Sequence, residues 1–431
     1  MTVVAQQQDA NLLDSPFFQH GFLEPAPPEA VCAEWETLLA RAMALPLKIT
    51  DSSPQAESWR QSIRNMPVLP LPSPHLLAHA HSTLTFLAHF YSHSLPADCT
   101  LAERVLPAGV AVPLMRASKA LGVPPVLSYA DTVFYNLTPA FFDTCSSASY
   151  KSSPARSSLD QVRATFSHTS DEAHFYLTSA RIEHVGASSL RAVHTALSAL
   201  SSQSSRSMSS EDDIARSLSE LSADIRLMAR ILESVREGCE PGIYYDALRP
   251  WMRAPDGGAG LGWRLSFASS GMRAEEVEEM QAEEWVERVD WDTEEVLCKT
   301  GLAGATAAQS SIIQALDAAL GLEHESNGFL HRMRTYIPRP HRRFINALTP
   351  SGLSLRSHIL HSGTVSEKEG YNKCVEALRE MRTVHVRIAA IYLVSPAPRV
   401  VGRVLVEKGT GGTAAIPFLK GVRDRTARAV V

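Results

Sequence analysis

The sequence predicts an all-α protein. Apolar residues recur at helical spacing wherever a pattern can be followed, and alternating strand patterns bounded by hairpin turns are scarce. In the clearest helix, steps of four and three residues build one apolar seam from Ile214, Leu218, Leu221, Ile225, Met228, Leu232 and Val235. Asp212 and Asp213 suit its first turn. The repeat stops at the Gly238-Cys239-Glu240-Pro241 break, which favours a core helix of a bundle over a coiled-coil dimer.

Composition excludes several classes of partner. The 431 residues are 45% hydrophobic, which is enough for the cores of two or three ordinary domains. Lys and Arg number 41 against 46 Asp and Glu, so no strong field attracts nucleic acid or an anionic membrane, and the ligand is expected to be a small molecule. Because the sequence shows no signal-peptide pattern and no apolar run of bilayer length, we expect a cytoplasmic protein.

Serine-rich segments suggest the domain organisation. Residues 145–158 and 198–210 contain too few apolar residues to pack and are predicted to be loops. The first marks the expected boundary between a smaller N-terminal domain, residues 1–150, and a larger helical domain, residues 151–431. An acidic insertion at about 274–296 is predicted to form a solvated helix or an ordered surface excursion.

Several familiar motifs are incomplete. The glycines at 256–262 follow no predicted strand and depart from the dinucleotide fingerprint. The pairs His75/His79 and His89/His93 have the spacing of metal ligands on a helix but lack the glutamate of an HExxH motif. The cysteines form no CxxC pair, which predicts reduced thiols; they are Cys32, Cys99, Cys145, Cys239, Cys298 and Cys374.

A glycine-rich stretch lies near the C-terminus, at Gly409-Thr410-Gly411-Gly412-Thr413. Its lysine precedes the glycines and no GK[ST] follows, so it is not a phosphate-binding Walker loop. Glycine permits a segment whose backbone amides and threonine hydroxyls approach a ligand. On this stretch alone, a plain surface turn is the simpler interpretation.

A histidine lies on an apolar helix face just upstream. Steps of four and three residues join Cys374, Leu378, Met381, His385, Ile388 and Tyr392. A histidine in that setting is usually a core residue, yet a proximal haem ligand requires the same apolar surroundings. Arg382, one turn earlier, is a cation that could pair with a haem propionate. The two residues make a haem site conceivable.

Three segments in this region, YIPRPHRRFINAL, MRTVHVRIAAIYL and VEKGTGGT, together resemble the C-terminal signature of the indoleamine 2,3-dioxygenases, particularly those of fungi. The resemblance extends back through TAAQSSIIQALDAALGL, EPGIYYDALRPWM, AHFYLTSARIE and VPPVLSYADTV, to about Val123. It implies a monomer with haem b and its iron as cofactor and O2 as co-substrate. It also implies addition of both oxygen atoms across the indole 2,3-bond of L-tryptophan, giving N-formylkynurenine on the kynurenine route to NAD.

The resemblance assigns roles residue by residue. It implies that His385 is the proximal iron ligand and that Asp317 supports Arg382, which pairs with a haem propionate. Phe175 and Ser179 would lie beside the reacting atoms. Phe175 would belong to an aromatic wall over the indole, and Ser179 would place a small hydroxyl near the bound oxygen. The substrate pocket would comprise Tyr129, Thr132, Val133, Tyr176, Tyr244, Tyr245, Arg249, Thr306 and Thr410. In the family, the arginine that matches Arg249 holds the substrate carboxylate. The loop that contains Thr410 closes over the substrate.

The matching distal positions contain no histidine, so we expect a substrate-assisted route without a side-chain general base. Tyr244 stands where the family commonly has phenylalanine, and Ala305, Thr306 and Ala308 replace glycine, serine and glycine. These changes could narrow the pocket. The alternatives are therefore a catalytically weak haem- or ligand-binding paralogue of the same fold, or an all-α scaffold without haem.

Overall fold

The computed structural model describes residues 12–24, 26–28, 30–146, 157–201, 208–255, 262–322, 328–348, 354–396, 399–400, 403–404, 409–412 and 414–431. Helices dominate these residues, so the predicted all-α class is confirmed. The helices before residue 147 are α1 (Phe17–His20), α2 (Ala33–Ala44), α3 (Pro54–Arg64), α4 (Leu77–Ser94), α5 (Ala108–Leu121), α6 (Tyr129–Val133) and α7 (Pro139–Ser146). The later helices are α8 (Ser170–Ser201), α9 (Met208–Glu233), α10 (Pro241–Ile243), α11 (Ala274–Gln281), α12 (Ser311–Ala319), α13 (Phe329–Met333), α14 (Arg339–Leu348), α15 (Leu355–His361), α16 (Val365–Ala389) and α17 (Ala415–Ala427).

The long helices α8, α9 and α16 pack together, and α17 lies against α16. The predicted seam of α9 is the reason for this packing, because its residues are buried except for Leu232, which lines a cavity. The prediction of a core helix is thus confirmed. Among the described residues, no helix is both long enough and apolar enough to cross a membrane.

The serine-rich segments are helical at their edges. Helix α8 continues through Ser201 and α9 begins at Met208, so the predicted loop at 198–210 is wrong at both ends. The apolar stripe of α8 continues through the buried Val193, Ala196 and Leu197, and this packing outweighs the weak helix propensity of serine. In the first segment, α7 extends to Ser146. Residues 147–156 and 202–207, where the remaining loop predictions fall, lie outside the described residues.

The acidic insertion is only partly helical. After α11 the chain forms strands β2 (Val286–Asp290) and β3 (Glu295–Cys298), which join β1 (Arg264–Ser266) in an antiparallel sheet of order β1-β3-β2. A second antiparallel pair comprises β4 (Arg399–Val400) and β5 (Arg403–Val404). The prediction of a helix or ordered excursion is correct for α11 and missed the strands. Ion pairs from Arg116 to Glu276 (2.6 Å) and from Lys119 to Glu279 (2.5 Å) hold α11 against α5.

A buried polar cluster fixes the short helix α6. Asp131 accepts hydrogen bonds from the backbone N–H (2.8 Å) and hydroxyl (2.7 Å) of Ser128, which closes a capping box at the start of the helix. Its other carboxylate oxygen lies 2.7 Å from His81 Nδ1 on α4, and His81 Nε2 lies 3.1 Å from the Ser118 hydroxyl on α5. These contacts attach α6 to α4 and α5.

We expect Asp131→Ala to lower the free energy of unfolding by about 3 kcal/mol, because it leaves buried donors of Ser128 and His81 without their acceptor. Urea unfolding followed by circular dichroism measures this. The control is Asp292→Ala at an exposed site of the hairpin turn, which should change stability by less than about 0.5 kcal/mol. Equal stability of the two variants would contradict the anchoring role of Asp131.

Candidate active site

A cavity of about 250 Å³ lies inside the helical bundle, and α6, α8, α16, the segment around residues 305–314 and the glycine-rich loop all contribute to its wall. All but two of the residues predicted for the site line it. They are Tyr129, Thr132, Val133, Phe175, Tyr176, Ser179, Tyr244, Thr306, Asp317, Arg382, His385 and Thr410. These residues are spread over almost three hundred positions of the sequence, and the fold brings them together around one cavity.

His385 lies on the cavity face of α16. Leu378, Met381 and Ile388 line the cavity from the same helix, so the imidazole has apolar neighbours along its own face. Burial, and secondarily the charge of Arg382, lower the pKa of His385 to about 4. No hydrogen bond to its ring occurs within the described part of the chain. At neutral pH the side chain is therefore a neutral imidazole with a nitrogen lone pair available to a metal.

Arg382 is held in place by two neighbouring helices. Its guanidinium pairs with Asp317 Oδ1 on α12 at 2.5 Å and also donates a hydrogen bond to the Thr426 hydroxyl on α17. Arg382 and Asp317 are both buried, so each compensates the charge of the other in an apolar region. The arginine side chain therefore stays at the cavity wall, about one helical turn from His385.

Aromatic rings form another part of the wall. The ring centroid of Phe175 on α8 lies 5.0 Å from that of Tyr244, which lies 5.5 Å from that of Tyr392. Tyr176 donates its hydroxyl to the buried Glu172 at 2.8 Å. Burial raises the pKa of Tyr244 to about 12, although the charge of Arg249 opposes this, so its phenol stays neutral. Such a wall suits a flat aromatic ligand.

Tyr245 and Arg249 do not line the cavity. Tyr245 lies on a π-helical turn, Tyr244–Leu248, and Arg249 directly follows this turn and donates its N–H to the Tyr244 carbonyl at 2.8 Å. The Arg249 side chain is buried, and its guanidinium carbon lies 5.0 Å from the centre of the Tyr245 ring. The sequence gives no sign of this π turn, which changes the direction in which each of its side chains points.

The glycine-rich loop rests on the turn before α12. The Gly304 N–H donates to the Thr410 carbonyl at 3.2 Å, and the Thr410 hydroxyl donates to the Ala305 carbonyl at 2.8 Å. The turn needs glycine at position 304, because a Cβ there would lie 1.9 Å from the Met252 carbonyl oxygen. A Cβ at Gly411 would lie 2.7 Å from the far end of the Phe329 ring, which would have to shift. Thr413 lies outside the described residues.

The sequence interpretation missed a polar cluster beside the cavity. Glu183 on α8 is buried and accepts hydrogen bonds from Tyr129 and Ser310. Gln309 joins Tyr129 to Gly304: its side-chain oxygen accepts from the Tyr129 N–H at 2.8 Å, and its side-chain nitrogen donates to the Gly304 carbonyl at 3.0 Å. One signal was available, because Glu183 follows Ser179 by four residues and so lies on the same helix face.

The comparisons with known proteins identify the family of this chain. The sequence model described as indoleamine 2,3-dioxygenase matches residues 17–429. Indoleamine 2,3-dioxygenase 2 of Mus musculus is 29% identical over 423 residues, covering 96% of this chain and 93% of that protein. Indoleamine 2,3-dioxygenase of Saccharomyces cerevisiae is 28% identical (81% and 77% covered), as is 6-hydroxytryptophan 2,3-dioxygenase fscD of Fusarium equiseti (94% and 94%). The chain belongs to the indoleamine 2,3-dioxygenase family.

Proposed function

We propose that this protein is a haem-dependent dioxygenase that adds both atoms of O2 across the indole 2,3-bond of L-tryptophan to give N-formylkynurenine, or across that of a closely related indoleamine to give the corresponding ring-opened product. The observation that carries the proposal is one cavity that combines a neutral histidine, a buried Arg–Asp pair and an aromatic wall. Family membership supports it, because indoleamine 2,3-dioxygenases are haem-dependent enzymes that use O2.

The residues on one side of the cavity fit a haem. His385 offers an imidazole nitrogen in apolar surroundings, as an axial ligand requires. Arg382, held by Asp317 and Thr426, offers a fixed cation for a propionate. When bound, haem iron supplies the binding and activation of dioxygen that no amino-acid side chain can provide.

The protein's own contribution would be orientation and exclusion of water. Phe175, Tyr244 and Tyr392 form an apolar surface against which an indole ring can stack. Thr410 and the turn at Ala305 would close the chamber above it. Within the described residues, His385 is the sole histidine of the cavity wall, so the distal side has no imidazole base. This supports a route in which the substrate's own groups handle the proton.

We further infer that the cavity lies between a smaller N-terminal domain, residues 1–150, and a larger domain, residues 151–431. Helix α6 contributes Tyr129, Thr132 and Val133 from the first, and α8, α12 and α16 contribute the rest of the wall described above. Placing a pocket between two bodies would allow them to close around a small substrate.

One observation favours the catalytically weak, ligand-binding alternative. Ala305, Thr306 and Ala308 all line the cavity, and their methyl groups take up space that smaller residues would leave open. Tyr244 adds a hydroxyl to the same chamber, and within the described residues that hydroxyl makes no hydrogen bond. Production of N-formylkynurenine from L-tryptophan by the haem-loaded, reduced protein, measured by chromatography, decides between the two.

We expect His385→Ala to abolish stoichiometric haem binding, because it removes the proposed axial ligand. The absorption spectrum of the purified variant after incubation with haem measures this. The control is His361→Ala, an exposed histidine at the end of α15, which should bind haem as the unmodified protein does. An unchanged haem spectrum in the His385 variant would contradict the assignment.

We expect Arg249 to leave Tyr245 and enter the cavity when substrate binds, so Arg249→Ala should raise the KM for L-tryptophan by about tenfold or more, because a charge-assisted contact to the substrate carboxylate would be lost. Haem content should be unchanged. Steady-state kinetics test this, with the exposed Arg253→Ala as the control for loss of a nearby cation. Equal KM values in both variants would mean that Arg249 remains stacked on Tyr245 during turnover and takes no part in binding.

A further inference from the structure

Glu183 is a fully buried carboxylate at the junction of three segments that line the cavity. It lies on α8, one turn after Ser179, with 1% of its surface exposed. Its Oε1 accepts hydrogen bonds from the Tyr129 hydroxyl on α6 (3.1 Å) and from the Ser310 hydroxyl at the start of α12 (2.6 Å). Its Oε2 accepts from the Ile312 backbone N–H (3.3 Å).

These contacts match an ionised carboxylate. The Ile312 N–H can only donate and the two hydroxyls can turn to donate, so an ionised carboxylate can accept from all three. Burial raises the pKa of Glu183 to about 7, against the lowering effect of Ser310, Tyr129 and Ile312, and no charged neighbour contributes. The Tyr129 phenol is the titratable group that faces it, and burial followed by Glu183 raises the pKa of that phenol well above its usual value.

An ionised Glu183 holds two hydroxyl groups in a fixed direction. Tyr129 has a single hydroxyl proton, and it donates this proton to Glu183. The Ser310 hydroxyl donates its own proton to the same carboxylate oxygen. Both side chains line the cavity, so Glu183 fixes the positions of two residues of its wall.

We propose that Glu183 is a positioning residue whose hydrogen-bond chain, Tyr129–Glu183–Ser310, fixes these two side chains in the cavity wall and so sets where the substrate lies. Protonation of Glu183 would let it donate to Tyr129 or Ser310 and would release one of the two hydroxyls from this arrangement. The inference rests on the proposed tryptophan dioxygenase function. It adds a residue that touches neither haem nor substrate and acts through Tyr129.

The test compares the unmodified protein with Glu183→Gln across neutral pH. An amide has the shape of the carboxyl group but brings an N–H₂ donor, so it cannot accept from all three neighbours. We expect kcat/KM of the unmodified protein to rise with pH as Glu183 ionises. The variant should lose this transition and be about tenfold less active at the higher pH values. The dissociation constant for L-tryptophan, measured without O2 from the haem absorption spectrum, should follow the same pattern.

The control is Glu367→Gln, which removes another buried carboxylate. Glu367 caps α16, where it accepts from the Thr364 N–H at 2.7 Å, and it does not line the cavity. It should retain the pH profile of the unmodified protein. Tyr129→Phe should flatten the profile as Glu183→Gln does, and the double variant should show no further loss, because both changes break the same chain.

The outcomes separate the two proposals. If the unmodified protein forms no product, the proposed function fails, and the dependence of tryptophan affinity on pH in each protein still decides the role of Glu183. If Glu183→Gln keeps both the pH profile and the affinity of the unmodified protein, the positioning role is wrong. Should that variant not fold, Tyr129→Phe alone decides, because an unaltered pH dependence there would equally overturn the proposal.

Discussion

The buried pair of Arg382 and Asp317 is the interaction on which the site depends. Helix α16 needs an apolar surface to pack against α9 and α17, yet it carries a cation and a histidine into the interior. An isolated charge there would be strongly destabilising, and the carboxylate on α12 makes it tolerable. The pair therefore ties α12 to α16, while the Thr426 hydroxyl adds α17. A cavity beside this junction has one wall that is both charged and fixed.

Several other buried polar groups around the cavity follow the same rule, since they have partners from another segment. Asp131 holds α6 to α4, and Glu183 joins α6 to α8 and α12. Hydrogen bonds between Thr410 and the turn at Gly304 and Ala305 attach the glycine-rich loop. Contacts of this kind are satisfied in only one arrangement of the segments, which favours a defined pocket shape over a loosely packed one.

Periodicity and resemblance predicted the helices and most of the site, and the misses have physical causes. The seam of α9 and the apolar face around His385 are local patterns, so the sequence carries them directly. Strand β2 was missed because a register shift between Val286 and Arg288 breaks its alternation. The position of Arg249 depends on a π turn, and the environment of Glu183 depends on donors more than fifty residues away along the chain. The π turn has no local signature, and the spacing of Glu183 from Ser179 indicates its helix face but none of its partners.

The central claim is that the protein adds dioxygen to an indole bound in this cavity. The most direct measurement is mass spectrometry of the product after the haem-loaded, reduced protein is incubated with L-tryptophan under isotopically heavy dioxygen. The account predicts N-formylkynurenine that carries two heavy oxygen atoms. A product with only one heavy oxygen atom, or no product from a protein that has verifiably bound haem, would contradict it.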